Sequence, residues 1–324
     1  MSAKHFRVAK IIESPPPLYA AIDLGTNSCR LLIAKATPTG IIVVDAYSKS
    51  VRLGELLNKT GVLNKNAKER TIASLKTIKN KLRKHNIIST RAVATEACRQ
   101  AKNGQDFLDE IKETVGIEFE IINNNEEAIL ASEGCKSLLP NGTKNALIFD
   151  IGGGSTQLTW LQDNEVIDTL SIPYGVVTLT DKIDKDCLTP EQFRENVMFI
   201  QGYMEEFYKR NMTDSYCMLG TSGTITTLTG TILNLRDYNR NKVDGRTVSQ
   251  KEIVDITETL AFMPSKERCD IPCIGAERAH LMMAGCVILN AICTKWETST
   301  ILVADRGIRE GILLKLTQSE KNNG

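Results

Sequence analysis

Two aspartates each close an apolar run and open a turn of small residues. Asp23-Leu-Gly-Thr-Asn-Ser-Cys-Arg30 follows the run 18–22, and Asp150-Ile-Gly-Gly-Gly-Ser-Thr-Gln157 follows the run 146–149. Small residues let backbone N–H groups approach an anion, and a carboxylate at the edge of such a turn can hold a hydrated cation beside it. Each turn feeds a second strand-like run, 30–34 and 157–161. One device used twice implies two related halves that face each other across a cleft and clamp phosphate between them.

Three further segments carry suitable chemistry. Gly220-Thr-Ser-Gly-Thr224 is a strand-to-helix turn whose free N–H groups and helix dipole suit an anion. Thr95-Glu-Ala-Cys-Arg-Gln-Ala-Lys-Asn103 lies at the carboxyl end of a strand, and Asn123-Asn-Asn-Glu-Glu-Ala128 opens a helix with two acids. Acids in a first helical turn commonly do no more than favour its dipole. Here they fall between the two phosphate turns, which makes them candidates for acid–base work. Arg52, Arg99, Arg278, Arg306 and Arg309 each admit a reading as surface ion-pair partners. Arg30 and Arg99 lie beside turns expected to face the cleft, and Arg52, following a third strand, could reach in. Of the three histidines, His5 is in the tail, His85 ends a basic helix, and neither they nor His280 form a dyad with a nucleophile. Ser28 and Ser155 therefore read as phosphate or metal contacts.

The elements that must position these residues alternate along the chain. Strands are expected at 18–22, 30–34, 41–44, 91–94 and 119–122, with helices over 66–84 and 107–114. Ile72, Leu75, Ile78 and Leu82 recur on one face of the first helix, and lysines and arginines cover the other. A helix over 126–139 leads to a second series: strands 145–149, 157–161 and 166–172, a helix capped at Thr189, a strand 216–219, helices 251–262 and 276–292, a strand 300–304 and a last helix 308–316. The order strand, strand, strand, helix, strand, helix occurs in both halves and predicts mixed sheets with helices on their faces.

A chain of 324 residues has room for two cores. A net charge of +1 gives no global pull toward nucleic acid or membrane, so affinity for a polyanion must be local. The nine cysteines, several inside apolar runs, suit reduced buried thiols. Cys269 and Cys273 are four apart, but no second pair completes a zinc site. The start of the chain shows no hydrophobic signal core, and no uninterrupted apolar run reaches about 18 residues. A cytoplasmic protein with a loose tail over 1–17 is expected, with neither a membrane nor a specific nucleic acid as partner. The apolar run 276–292 fits a core helix better than a subunit interface, although it would serve a homodimer.

Taken in order, 23–28, 94–103, 126–128, 150–156, 220–228 and 309–313 make the chain resemble the exopolyphosphatase/guanosine-pentaphosphatase (Ppx/GppA) family, in its short two-domain form. The resemblance implies duplicated actin-like (ribonuclease H-like) α/β domains, mixed sheets flanked by helices, with the active site in the interdomain cleft. The first domain would comprise 18–126 plus 307–324, and the second 127–306. It further implies release of terminal orthophosphate from inorganic polyphosphate or guanosine pentaphosphate by in-line attack of water, with Mg²⁺. Glu127 would be the general base and Gln157 would orient the water, with Asp150 and Asp23 at the metal. Phosphate would be held by Gly25, Thr26, Asn27, Ser28, Arg30, Arg52, Arg99, Gly152, Gly153, Gly154, Ser155, Thr156, Ser222, Gly223, Thr224 and Arg278. Three departures stand out. Gln157 replaces a usual glutamate, Asn123-Asn-Asn125 replaces a Ser-Gly lead-in, and Arg278-Ala-His280 replaces Arg-Ala-Asp. The same fold also serves sugar kinases and chaperone-like ATPases, and a non-catalytic guanosine-polyphosphate or polyphosphate sensor is a further alternative.

Overall fold

A computed structural model describes residues 17–37 and 40–321. All but Pro17 of the expected tail lies outside the described residues, as do Pro38 and Thr39 of the turn between the second and third strands. Eleven strands form two sheets among the described residues: β1 Leu18–Leu24, β2 Ser28–Thr37, β3 Gly40–Ser50, β4 Ile87–Ala94, β5 Glu120–Ile121, β6 Asn145–Ile151, β7 Thr156–Gln162, β8 Glu165–Ile172, β9 Cys217–Thr221, β10 Arg246–Ser249 and β11 Thr300–Ala304. The first sheet has the order β3-β2-β1-β4-β5. The second repeats it as β8-β7-β6-β9-β11, with β10 added at the edge. Both sheets are mixed: β1 pairs antiparallel with β2 and parallel with β4, and β6 pairs antiparallel with β7 and parallel with β9. With helices packed on their faces, these are two copies of one actin-like unit.

Burial on both faces explains why β1 is apolar from Leu18 to Ile22, before Asp23. Ala20, Ile22 and Leu24 pack toward Leu75, Ile78, Phe107 and Ile111 of the helices Lys65–Leu82 and Gly104–Val115. Tyr19 and Ala21 point the other way, toward Leu130, Ile312 and Leu313. The chain's last helix, Ile308–Lys321, thus returns to the first sheet. Local signals set the helix starts. Asn64 accepts from the N–H of Ala67 at 2.9 Å, and Thr189 exchanges two hydrogen bonds with Gln192 ahead of the helix Pro190–Asn211.

Helix Gly275–Lys295 is long and apolar enough to cross a membrane by length and composition, but most of its apolar stretch is buried inside the protein. Residues 281–293 are all buried in the second core, where Val287, Leu289 and Ile292 join the cluster of Phe149, Phe207 and Trp296. Its apolar surface is consumed within the chain, so it does not supply the subunit face that its composition allowed. Helix Val176–Ile183 and strand β10 were not expected from the sequence. Val176, Val177, Thr178 and Thr180 favour strands locally, and docking against the glycine turn of the second half overrides that preference.

The two halves are joined where helix Asn124–Cys135 crosses Ile308–Lys321. A methyl placed on Gly311 would lie 2.0 Å from the carbonyl oxygen of Leu130, and one on Gly134 would lie 2.1 Å from that of Gly307. Backbone cannot yield there as a flexible side chain would. Gly311→Ala is expected to cost about 1–3 kcal/mol by overpacking. Denaturant titration should show a lowered midpoint with an unchanged slope.

Candidate active site

Each glycine turn is held from behind by the chain that follows its sheet's third strand. In the first half, the N–H groups of Val51 and Arg52 both donate to the Asn27 carbonyl at 2.9 Å, and Gly54 N–H donates to that of Thr26 at 2.9 Å. In the second half, Val176 and Val177 N–H donate to the carbonyls of Gly152 and Gly153 at 2.9 and 2.8 Å. The Thr178 hydroxyl adds a bond to the Gly154 carbonyl at 3.0 Å. With their carbonyls tied back, the turns are free to present N–H groups forward.

The turns also touch each other. Methyls placed on Gly153 and Gly154 would meet Thr26 Cβ at 3.0 Å and Thr26 Oγ1 at 2.6 Å. One cavity of about 390 Å³ is lined by both turns, from Asp23 and Gly25 to Ser28 and from Asp150 to Ser155, together with Arg30, Glu127, Ser222, Gly223, Thr224 and Arg278. Helix Gly223–Ile232 presents its first turn to this space, and Ser222 before it holds a left-handed φ of 78°. From that conformation its hydroxyl donates to an Asp150 carboxylate oxygen.

Helix geometry separates the two neighbouring acids. Glu126 turns outward to Arg91 at 2.5 Å, whereas Glu127 is nine-tenths buried and faces the cavity. Asn123 fills the place of the usual Ser-Gly lead-in as a helix cap, its Oδ1 accepting from Glu126 N–H at 2.9 Å. Glu127 Oε2 accepts from Arg99 at 3.0 Å, and Oε1 makes no hydrogen bond among the described residues. Burial pushes the Glu127 carboxyl up to about 7. Arg99 opposes this, and the charges of Asp150 and Asp23 add to it. Burial likewise raises Asp23, against Arg30 and Arg309, and raises Asp150, against the Ser222 hydroxyl and Arg30.

The donor set fits a hard divalent cation. Asp23 Oδ1 is buried without a hydrogen-bond partner, and Asp150 faces the same space. Among the described residues no three His, Cys, Asp or Glu side chains gather as a metal cluster. Asp23 and Asp150 alone would leave a hard divalent cation room for water and substrate oxygens.

Four expected residues do not line the cavity. Arg52 is exposed, and its contribution is its backbone N–H to Asn27. Arg99 stands behind Glu127 and is tied to Glu96 and to the Ile122 carbonyl, the latter at 2.6 Å. The Thr156 hydroxyl points away, to the Tyr174 carbonyl at 2.8 Å. Gln157 is buried behind Ser155, donating to Ser155 Oγ at 3.2 Å and Ser171 Oγ at 3.1 Å. Arg278 donates to the Thr227 hydroxyl at 2.7 Å and has no acid as a hydrogen-bond partner among the described residues.

Several lining residues were not singled out for this site in the sequence. Arg309, read as a candidate surface ion-pair partner, is instead drawn into the cavity wall, where burial lowers its pKa. Arg306 also lines the cavity but is held by Asp244 at 2.8 Å. Tyr238, Arg240, Asp305 and Glu310 complete that wall through bonds from Tyr238 to Asp305 at 2.7 Å and from Arg240 to Glu310 at 2.9 Å. Glu310 falls within the segment 309–313, but no local motif marks Tyr238, Arg240 or Asp305, which come from separate stretches of the chain.

The model of the Ppx/GppA phosphatase family matches residues 32–320. This chain belongs to that family. It is 28% identical over 329 residues to a bifunctional 3-dehydroquinate synthase/phosphatase of Fusobacterium nucleatum, covering 96% of this chain and 49% of that protein. It is 28% identical over 301 residues to a guanosine-5'-triphosphate,3'-diphosphate pyrophosphatase of Aeromonas salmonicida, covering 93% and 59%. The chain therefore spans about half the length of the curated relatives it matches. Among solved structures, the Ppx/GppA family member of Aquifex aeolicus is 30% identical with a TM-score of 0.79, over 94% of this chain and 99% of that one. An exopolyphosphatase of Cytophaga hutchinsonii shares the fold at 24% identity and a TM-score of 0.86, over 93% and 98%.

Gly175 offers a test of how the family's second glycine turn is held. A methyl there would lie 2.4 Å from the Gly152 carbonyl oxygen and 2.6 Å from Gly153 backbone. Gly175→Ala must push that turn toward the cavity. Calorimetric binding of inorganic pyrophosphate is expected to weaken about tenfold or more, a misplacement effect on a preorganised site.

Proposed function

We propose that this protein hydrolyses a terminal phosphoanhydride, releasing orthophosphate from inorganic polyphosphate or from the polyphosphate end of a guanosine nucleotide. The observation that carries this reading is the free Glu127 Oε1, which faces a cavity walled by two preorganised phosphate turns. Membership of a phosphatase family supports it.

The mechanism follows from the side chains. N–H groups of the turns 25–28 and 152–155 hold the oxygens of the terminal phosphoryl, and Arg30 and Arg278 balance charge along the substrate. Asp23 and Asp150 would hold Mg²⁺, which when bound neutralises phosphoryl charge as the bond to the leaving phosphate breaks. Glu127 Oε1 accepts a proton from the attacking water, and the phosphorus–oxygen bond opposite the water is cleaved. Gln157 acts through Ser155, orienting its hydroxyl toward the cavity. A neutral amide at this position lets a hydroxyl be oriented without adding a fourth buried carboxylate to Asp23, Glu127 and Asp150. No covalent intermediate is required.

We also propose the division into 18–126 plus 307–324 and 127–306. The return of the last helix to the core of the first sheet supports it.

The reading is tested by Mg²⁺-dependent phosphate release from short polyphosphate, long polyphosphate, guanosine pentaphosphate and ATP. Release from one of the first three well above ATP is expected. Preference for ATP would favour a kinase or ATPase, and tight binding without release would favour a sensor. Glu127→Gln should lower kcat by about 10²–10⁴ with little change in binding, the usual contribution of a general base. The base must be ionised to act. Log kcat/KM should therefore rise with pH and level off above about 7, well above the limb of an ordinary glutamate.

A further inference from the structure

Glu96 opens the short helix Glu96–Gln100 and is 8% exposed. Both its oxygens are engaged: one accepts from Gln100 Nε2 at 2.5 Å, the other from Arg99 Nη2. That same Arg99 nitrogen donates to Glu127 Oε2 at 3.0 Å, while Arg99 Nη1 donates to the Ile122 carbonyl at 2.6 Å. Ile122 immediately precedes Asn123, the cap of the helix that carries Glu127. One guanidinium is thus pinned by its own helix and by the backbone that launches the base, leaving a single hydrogen bond for Glu127.

We infer that Glu96 is a positioning residue for hydrolysis: by sharing Arg99 it restricts that arginine to one oxygen of Glu127 and keeps the other turned to the cavity. The inference rests on the reading of Glu127 as the base. An arginine facing one isolated carboxylate favours a fork in which both oxygens accept. Such a fork would engage the Glu127 oxygen that must take the proton from water. Glu96, accepting from Arg99 with its second oxygen held by Gln100, holds Arg99 back. A neutral amide in its place would be a weaker competitor, and Arg99 would swing onto Glu127.

A double-mutant cycle tests this. Glu96→Gln should lower kcat about tenfold or more with KM within about twofold, in line with misplacement of a reacting group. Glu96→Asp, which keeps the charge, should recover most of the loss. In an Arg99→Met background, Glu96→Gln should change kcat less than twofold, because its route of action is gone. Additive effects of the two substitutions would overturn the inference. So would a rise in KM at constant kcat, which would assign Glu96 to the turn at Gly154 that its side chain abuts. A crystal structure of Glu96→Gln is readable even without turnover. Arg99 bonded to both Glu127 oxygens is expected, and an unmoved Arg99 would refute the idea. Retained turnover in Glu127→Gln would instead remove the base assignment, leaving the Arg99 rearrangement to be judged by that structure alone.

Discussion

The architecture depends on direct contact between two glycine turns. Gly153 and Gly154 lie so close to Thr26, Asn27 and Glu96 that no side chain fits between them. Two sheets, each with its own core, therefore meet where neither turn can offer bulk. The space the missing side chains would take is filled by Thr26, Asn27 and Glu96, and the two turns packed together in this way line the cavity. The packing of the two halves depends on this absence of Cβ atoms, which the proposed phosphate binding would also use.

The remaining structure secures that contact. The chain after β3 and the chain after β8 each return to tie back the carbonyls of their own turn, so duplication extends to the supports as well as to the sheets. Helix Asn124–Cys135 starts beside the first core, where Leu130 packs, and ends in the second, where Cys135 joins Ala146, Ile148 and Leu161. Glu127 sits on its first turns and is therefore placed by the same element that bridges the halves. Helix Ile308–Lys321 crosses it through Gly311, and its neighbourhood contributes Arg309 and Glu310 to the cavity wall. Movement of one half against the other cannot leave the geometry of the acidic centre unchanged.

Charge in the cavity follows one logic. Three carboxylates, Asp23, Glu127 and Asp150, are drawn out of water within reach of one another's fields, and burial raises all three. Arg30 makes no hydrogen bond or ion pair among the described residues, and Arg278 has only the Thr227 hydroxyl. Most other arginines of the wall are already paired with acids. Buried carboxylates beside guanidiniums without ion-pair partners are the charge pattern that the proposed cation and polyanion would complete.

The repeated motif and the elements around it could be read along the chain alone. The Asp-led turns, the alternation of strands and helices, the cap at Thr189, and the strand-to-helix turn at 220–224 were all legible, because each depends on local pattern and spacing. The match of six short segments in order was enough to indicate the family. Only tertiary structure decided which way neighbouring side chains point. It turned Glu126 out to Arg91 and Glu127 in, set Gln157 behind Ser155 rather than in the cavity, and left Arg52 to contribute its backbone alone. It also formed helix Val176–Ile183 against local β preference and drew Arg309 into the wall. These outcomes depend on long-range contacts and on desolvation, which become defined only when the two sheets close on each other.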